Sequence, residues 1–331
     1  MSFPASFVST DPNIQHIQNV IYYQRTAIEN LKGHTATFPC FEKQNIPLKN
    51  GKTMQFYENN VMGPNVVPVS EGTPGAPISN GSIRGTVTLQ QYADYMTFSD
   101  FIVETAISNL VEEQSGELGY AAARTVDTIN YTQMDAAAAA SAVARIDLQQ
   151  SPTPDYFSAS VARRAVASLE NANVKPKEAG YYAGIMNSLV AYDYSNDNTA
   201  GGVMDILKYN DYGKIKKGFI GNQVITLDGI RWVKTSLTPT TTNYLGGGQI
   251  GYHNYVVGKN AFFASSLNFT DVPDEENFKV DVGNFAKGSQ VSDPAGLIKS
   301  YAAYNFKYAT YVPPDAIPRF RRIRSEASFS A

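Results

Sequence analysis

The chain has 331 residues, 43% of them apolar and 17% charged, and a formal net charge of −3. This composition excludes a disordered or collagen-like protein, and the length predicts two lobes around one or two cores. The slight acidity argues against a protein whose main task is to grip nucleic acid, because that needs a basic face.

Cys40 stands alone, so neither a disulfide framework nor a cysteine metal cluster can form within one chain, and a buried, inert thiol is expected. No stretch approaches the roughly 18–20 uninterrupted apolar residues of a membrane span. Residues 1–10 lack the basic and apolar blocks of a signal peptide, so neither anchoring nor export is expected. The chain holds 21 Tyr and 17 Phe against one Trp. Tyrosine joins an apolar face to a polar tip and suits surfaces buried late, between subunits; an ordinary tyrosine-rich β protein would share this composition.

In chain order, an N-terminal arm comes first. Asp11 can cap a helix, Pro12 fits its first position, and Ile14, Ile17, Ile21, Ile28 and Leu31 recur at helical spacing before Gly33. The apolar stripe is narrow, so this helix could dock on its own domain or on a neighbour's. A two-stranded flap is predicted next. Residues 45–57 contain Lys49-Asn-Gly-Lys52, a hairpin-turn signal. Residues 61–82 carry Pro64, Pro68, Pro74 and Pro77 and cannot pair as a central strand. Strand character returns over residues 83–95, including Thr86 to Tyr92, and a turn is expected at Thr97-Phe-Ser-Asp100. The outward and return arms should meet, with an irregular tip near Gly72 to Ser79 that includes the Pro/Gly-rich Glu71 to Pro77.

One long helix should follow from about Ser99, its cap, to Asn130, on the order of 40 Å at ~1.5 Å per residue. Val103, Ile107, Leu110, Val111 and Leu118 give its buried stripe, while Glu104, Glu112 and Glu113 fall on the polar side. Gly116 and Gly119 weaken it unless another backbone passes close by. The alanine-rich segment from Asp135 to Ala144 suits either a helix or a closely packed loop. A second amphipathic helix spans residues 158–173 through Val161, Ala165, Val166 and Leu169, ended by Lys175-Pro176. Strand-like pieces cover residues 181–186, 219–226, 230–235, 255–264 and 301–311, separated by turn-rich loops at 194–202, 238–251 and 271–276. The order is α+β, with no regular βαβ alternation and no repeat. An extended flap feeding a long helix is poor scaffolding for an active site and suits a subunit that grips its neighbours.

Motifs that carry chemistry fail in context. Gly246 to Gly251 has the spacing of a dinucleotide loop, yet a Tyr/Val strand follows it instead of a helix, so a plain loop is expected. Asp193 to Thr199 resembles the start of a calcium loop, but Asn198 and Met204 stand where Gly and the bidentate Glu are needed, which favours a polar turn. His16, His34 and His253 are not paired at metal-ligand spacing, and no Gly-x-Ser-x-Gly elbow accompanies them. No enzymatic activity, cofactor or metal is expected. The basic run Arg319-Phe-Arg-Arg-Ile-Arg324 could touch nucleic acid; a terminal edge strand with one wet face is favoured.

The chain resembles the major capsid proteins of tailed double-stranded DNA phages with the Hong Kong 97-type fold, in particular the N-four-like podophage branch. Carrying the resemblance are Val69-Ser-Glu-Gly-Thr73, Tyr92-Ala-Asp-Tyr-Met-Thr-Phe-Ser-Asp100, Arg124-Thr-Val-Asp127 and Gly180-Tyr-Tyr-Ala-Gly-Ile-Met186. It continues through Gly218-Phe-Ile-Gly221, Gly229-Ile-Arg-Trp-Val-Lys-Thr235, Val257-Gly-Lys-Asn-Ala261, Ser292-Asp-Pro294 and Tyr301 to Tyr311. Two departures stand out: Asn187-Ser188 where the family commonly has His-Pro, and Ala93 where it often has Gly.

The resemblance implies an N-arm at 1–40, an E-loop at 41–98, a P domain with its spine helix at 99–150, an A domain at 151–290 and a return to the P domain at 291–331. It implies a subunit that assembles into hexamers and pentamers of a closed icosahedral head, which encloses double-stranded DNA without reading its sequence. A scaffold, a decoration or cement protein and a portal at one vertex are its expected partners, the virion its location and the host cytoplasm its place of assembly, with no membrane involved. Inter-subunit candidates are Ile14, Ile17, Ile21 and Ile28 on the arm, Tyr57, Tyr92 and Tyr95 on the flap, and Glu71 and Pro74 at its tip. The alternative is a secreted or surface β-rich module whose tyrosines contact glycan.

Overall fold

A computed structural model gives the fold and describes residues 35–46, 51–59, 66, 68, 71–72, 81–105, 110–148, 156–178, 180–199, 202–203, 223–227, 229–244, 249–267, 278–284, 298–313 and 318–328. A 3-10 turn at Phe38–Cys40 leads into β1 (Glu42–Ile46), and β2 (Thr53–Asn59) and β3 (Ser82–Thr88) form the flap. Then come β4 (Gln90–Ser99), α1 (Asp100–Thr105) and α2 (Leu110–Ala140). A 3-10 turn at Ala142–Ala144 passes to β5 (Arg145–Asp147), followed by α3 (Ala159–Asn171), β6 (Tyr182–Asn187) and α4 (Ser188–Ser195). The remaining described elements are strands: β7 (Gln223–Leu227), β8 (Ile230–Thr235), β9 (Thr240–Tyr244), β10 (Gln249–Val257) and β11 (Phe263–Leu267). The last are β12 (Phe278–Asn284), β13 (Ile298–Tyr311) and β14 (Phe320–Ser325).

The arms of the flap meet as expected. β2 and β3 pair antiparallel, with Phe56 opposite Gly85 and Tyr57 opposite Arg84. Alternation along the strands turns Met54, Phe56 and Val87 toward Ile46, Leu89, Ala309 and Tyr311, and leaves Gln55, Tyr57, Arg84 and Thr86 exposed. Phe56 stacks on Tyr311 with ring centroids 5.0 Å apart. Glycine is required at 85, where a Cβ would stand 1.7 Å from the Tyr311 hydroxyl oxygen. The Asn50-Gly51 signal, by contrast, makes no hairpin. Gly51 does adopt a φ of +88°, but β1 pairs in parallel with β11 and not with β2. Burying Ile46 beneath the flap decides the pairing over the local turn preference. The stretch from Thr86 to Tyr92 likewise divides at Leu89, whose N–H donates to the Lys52 carbonyl at 2.8 Å.

No turn occurs at residues 97–100. β4 stays paired with β13 as far as Ser99, and Ser99 then caps the helix, its Oγ accepting the Ile102 N–H at 3.3 Å. α2 has 31 residues, roughly 46 Å of rise, and ends at Ala140 rather than Asn130. The alanine-rich segment is therefore helical through Ala140 and turns only at 142–144. Of the expected stripe, Leu118 is buried; Ile107 and the side chains of Val103, Leu110 and Val111 lie outside the described residues. The helix is buried along Gly116, Gly119, Ala122, Ala123, Val126, Tyr131, Met134 and Ala138, a run of mostly small residues that lets it lie close between two sheets.

In the five-stranded sheet, β13 is central, with β4 along one side and β12 and β11 along the other; β1 extends the sheet beyond β11. Phe98, Tyr304, Phe306 and Tyr308 from this sheet pack with α2. The seven-stranded sheet runs β5-β14-β10-β6-β8-β7, with β9 also on β10. Alternate residues of β6, β10 and β14 go to opposite faces. Ile185, Tyr255, Val257 and Phe320 join the α2 core, while Tyr182, Val256 and Ile323 join the core under α3 and α4 with Phe157 and Trp232. Because the middle of this sheet is covered on both faces, β6 and β14 are nearly continuously buried.

Three further expectations need correction. Residues 255–264 are the end of one strand and the start of another, divided by a turn with Asn260 at φ +56°. Much of the expected loop at 238–251 is the strand pair β9–β10. Finally, β14 is no edge strand: it lies between β5 and β10. The helix at 158–173 and the strands at 181–186, 230–235 and 301–311 occur close to where they were predicted. The arm helix, most of the flap tip, residues 219–222 and the loop at 271–276 lie outside the described residues.

Candidate assembly surface

Among the described residues, several of the side chains with the most chemical potential are engaged inside the fold. Asp135 Oδ1 accepts from Tyr255 Oη at 2.6 Å, Arg322 Nη1 at 3.2 Å and His253 Nδ1 at 2.8 Å. The other His253 nitrogen lies 2.7 Å from Thr241 Oγ1. Thr241, His253 and Asp135 thus stand in the order of a nucleophile–base–carboxylate relay, a juxtaposition that sequence reading missed because nothing local links α2 to β10. The shared carboxylate gives the group a different role. It cross-links α2, β9, β10 and β14, with His253 and Arg322 buried. Burial pushes the Asp135 carboxyl up, but the bonds from His253, Tyr255 and Arg322 outweigh it and hold the group below its usual range.

The basic run is spent in the same way. Arg321 is buried and donates to Ser168 Oγ at 2.9 Å, to the Ser168 carbonyl at 3.0 Å, and to the Pro318 and Phe320 carbonyls at 2.8 Å. Arg324 forks onto Asp147 at 2.6 and 2.7 Å. The segment from Asp193 to Thr199 is not one turn, since α4 runs through Ser195, and it uses its carboxylates internally as well. Asp197 accepts the Ala159 N–H at 2.9 Å, capping α3 from a distance, and the Thr199 N–H at 3.1 Å; Asp193 accepts the Ser328 N–H at 2.8 Å. Where the resembling family has His-Pro, Asn187 caps α4 by accepting the Leu189 N–H at 2.9 Å. Cys40 is buried, and burial pushes its thiol up to about 12.

What remains for contact with other molecules is the outer surface. Tyr57 is 62% exposed on the outward face of the flap, with the Arg84 guanidinium 5.6 Å from its ring centroid and its hydroxyl donating to Gln55. Tyr95 is 70% exposed. Tyr92 is half-buried: its ring stacks on Phe306 at 5.5 Å and its hydroxyl donates to Gln90 at 3.0 Å. Three residues apart on one strand, Tyr92 and Tyr95 face opposite sides of the sheet and cannot share a contact patch. Glu71 is exposed in a turn with Gly72 at φ +78°. Pro74, Ile14, Ile17, Ile21 and Ile28 lie outside the described residues.

Two surface features escaped the sequence reading. Phe101 and Ile102 are 76% and 48% exposed at the start of α1; the signal was three successive apolar residues, more than one helical stripe can bury. A groove of about 410 Å³ also runs between Tyr92 and Arg124, Thr125, Thr128, Ile129, Thr132 and Gln133. The three threonine hydroxyls donate to the carbonyls of Ala121, Arg124 and Thr128 at 2.8, 2.7 and 2.8 Å. With those hydroxyls satisfied by the helix, the groove wall is more apolar than its composition suggests.

No sequence family and no curated protein matches this chain. Solved structures do. A chain of the cyanophage Pam1 capsid asymmetric unit is 12% identical with a TM-score of 0.62, covering 90% of this chain and 93% of that one. The capsid of Ralstonia phage GP4 matches at 12% identity and TM-score 0.59, over 88% of each chain. The capsid of cyanophage P-SCSP1u matches at 15% identity and TM-score 0.56, over 87% of each. The chain has the Hong Kong 97-type capsid fold. The likeness to these capsid chains covers 87–90% of this chain and 87–93% of theirs.

Proposed function

We propose that the chain is the major capsid protein of a tailed double-stranded DNA phage, assembling as hexamers and pentamers into an icosahedral head. The observation that carries this is the capsid fold itself, matched over about nine-tenths of this chain and of its neighbours. The flap supports it further: its inner face is packed on its own subunit while Tyr57 points outward. On this reading residues 1–40 are the N-arm, 41–98 the E-loop, 99–150 the P domain with its spine helix, 151–290 the A domain and 291–331 the return. The arm, through Ile14, Ile17, Ile21 and Ile28, grips one neighbour. The flap, through Tyr57, Glu71 and Pro74, lies over another, and Tyr95 on β4 with Phe101 and Ile102 adds apolar area.

Assembly is then the mechanism. Each contact is modest, and closure makes many of them jointly hard to undo. The interior fate of Arg321, Arg322 and Arg324 fits a shell that contains DNA without adhering to it. A scaffold, a decoration or cement protein, a portal at one vertex and assembly in the host cytoplasm belong to the same proposal. The test is light scattering and negative-stain electron microscopy of the concentrated chain, alone and with a phage scaffold. Rings, sheets or shells are expected; a strict monomer under both conditions would refute the proposal.

A further inference from the structure

Asp127, in the Arg124-Thr-Val-Asp127 motif, takes no part in the surface above, yet it holds the point where residues 1–34 join the described fold. Its Oδ2 accepts the Ala36 N–H at 3.0 Å and its Oδ1 the Thr37 N–H at 3.2 Å, with the Thr37 hydroxyl donating to the same Oδ1. Asn130 Nδ2 donates to Thr37 Oγ1 at 2.7 Å, and Tyr308 Oη donates to Asn130 Oδ1 at 2.8 Å. Donation runs one way, from Tyr308 to Asn130 to Thr37 to Asp127, and all four residues are buried.

Two features set this clamp apart from ordinary packing. Burial pushes the Asp127 carboxyl up despite bonds from Thr37 and Ala36, so a carboxylate is a costly way to fill the space. Its ligands also include the main-chain N–H groups of two successive residues. Two such bonds, one to each oxygen, fix the direction of a backbone as well as its position.

Resting on the assembly reading, we infer that Asp127 is a positioning residue for the N-terminal arm. It sets the direction in which residues 1–34 leave the subunit to meet a second copy of this chain. Asp127→Asn keeps the shape but turns an amide NH2 toward one of the N–H donors.

The experiment mixes each variant with excess unmodified chain and reads its share of the resulting shells by mass spectrometry, alongside the thermal midpoint of the dispersed subunit. Asp127→Asn should lower incorporation about tenfold, the factor that 1.4 kcal/mol corresponds to. In a chain lacking residues 1–34 the same substitution should change incorporation no further, since nothing is left to position; a purely structural role would weaken both backgrounds alike. Thr37→Val removes only the hydroxyl link and should show a smaller loss in the same pattern, which keeps the test open if Asp127→Asn does not fold. Unimpaired incorporation of a folded Asp127→Asn, or an equal further loss in the truncated chain, would overturn this inference alone. If the unmodified chain formed no shells, the assembly reading would fall and this inference with it.

Discussion

Asp135 ties α2 to β10 and β14 through His253, Tyr255 and Arg322, and its replacement has a calculable consequence. Asp135→Asn leaves Arg322 and His253 short of their acceptor and should cost about 1–3 kcal/mol in chemical denaturation at pH 7. Because the folded carboxyl titrates below its unfolded value, its contribution is present above about pH 4 and is lost as pH falls through the folded value. The gap between wild type and Asp135→Asn should therefore narrow on going from pH 7 to pH 3. A gap that stays constant would mean the carboxylate's charge is not what matters. Asp127 works in the opposite sense, since its carboxyl is raised and its ionisation costs stability as pH climbs. Gly85→Ala would press a methyl into the Tyr311 ring and should destabilise by about 1–3 kcal/mol, measured as a shift of the unfolding midpoint. None of this was visible in the sequence, where Asp135 and Gly85 are an unremarked carboxylate and an unremarked strand residue.

The flap and the long helix divide stability from contact. Phe56→Ala removes the buried ring that holds β2 to Tyr311 and Phe263 and should cost about 3–5 kcal/mol. The loss should be local: hydrogen exchange of residues 53–59 and 82–88 is expected to rise while that of α2 stays slow. Replacing Gly72 to Pro77 with a short linker should do the reverse, impairing assembly yield more than the melting temperature. The flap and the helix cap were legible because they rest on local rules: proline spacing and Ser99 before an apolar run. The fate of β1, β9 and β14 was not. β1 and β14 are decided by partners far away in sequence, such as Phe263 for Glu42 or Asn254 for Ile323, whereas β9 pairs with the nearby start of β10 inside what reads as a turn-rich loop.

Taken as a subunit, the chain has inner cores that close on themselves and an outer surface bearing Tyr57, Tyr95, Phe101 and Ile102. Tyr57→Ala combined with Phe101→Ala should leave the subunit folded, because both side chains are exposed. It should raise the concentration needed for shells several-fold, since a small deficit at each contact is multiplied over a closed lattice. Static light scattering across a dilution series reads this directly, and an unchanged threshold would remove these two residues from the interface. Removing residues 1–32 is expected to spare the melting transition and to weaken or abolish shells.

From sequence alone came the α+β class, the flap returning on itself, the serine cap at the start of α1, a long helix after the flap, and the capsid resemblance carried by short motifs in a fixed order. These follow from periodicity, turn chemistry and chain order, which are local properties. Tertiary structure alone decided that the arginines of β14 are bonded within the chain and that Tyr92 and Tyr95 face apart. It alone gathered Asp135, His253, Tyr255 and Arg322 into one cross-link, and tied Asp127 to the start of the described chain. A charged side chain reads as exposed until its acceptor is known, and that acceptor lies on another strand or helix that only the tertiary fold brings near, as Ser168, Asp135 and Asp147 show for the three arginines of β14.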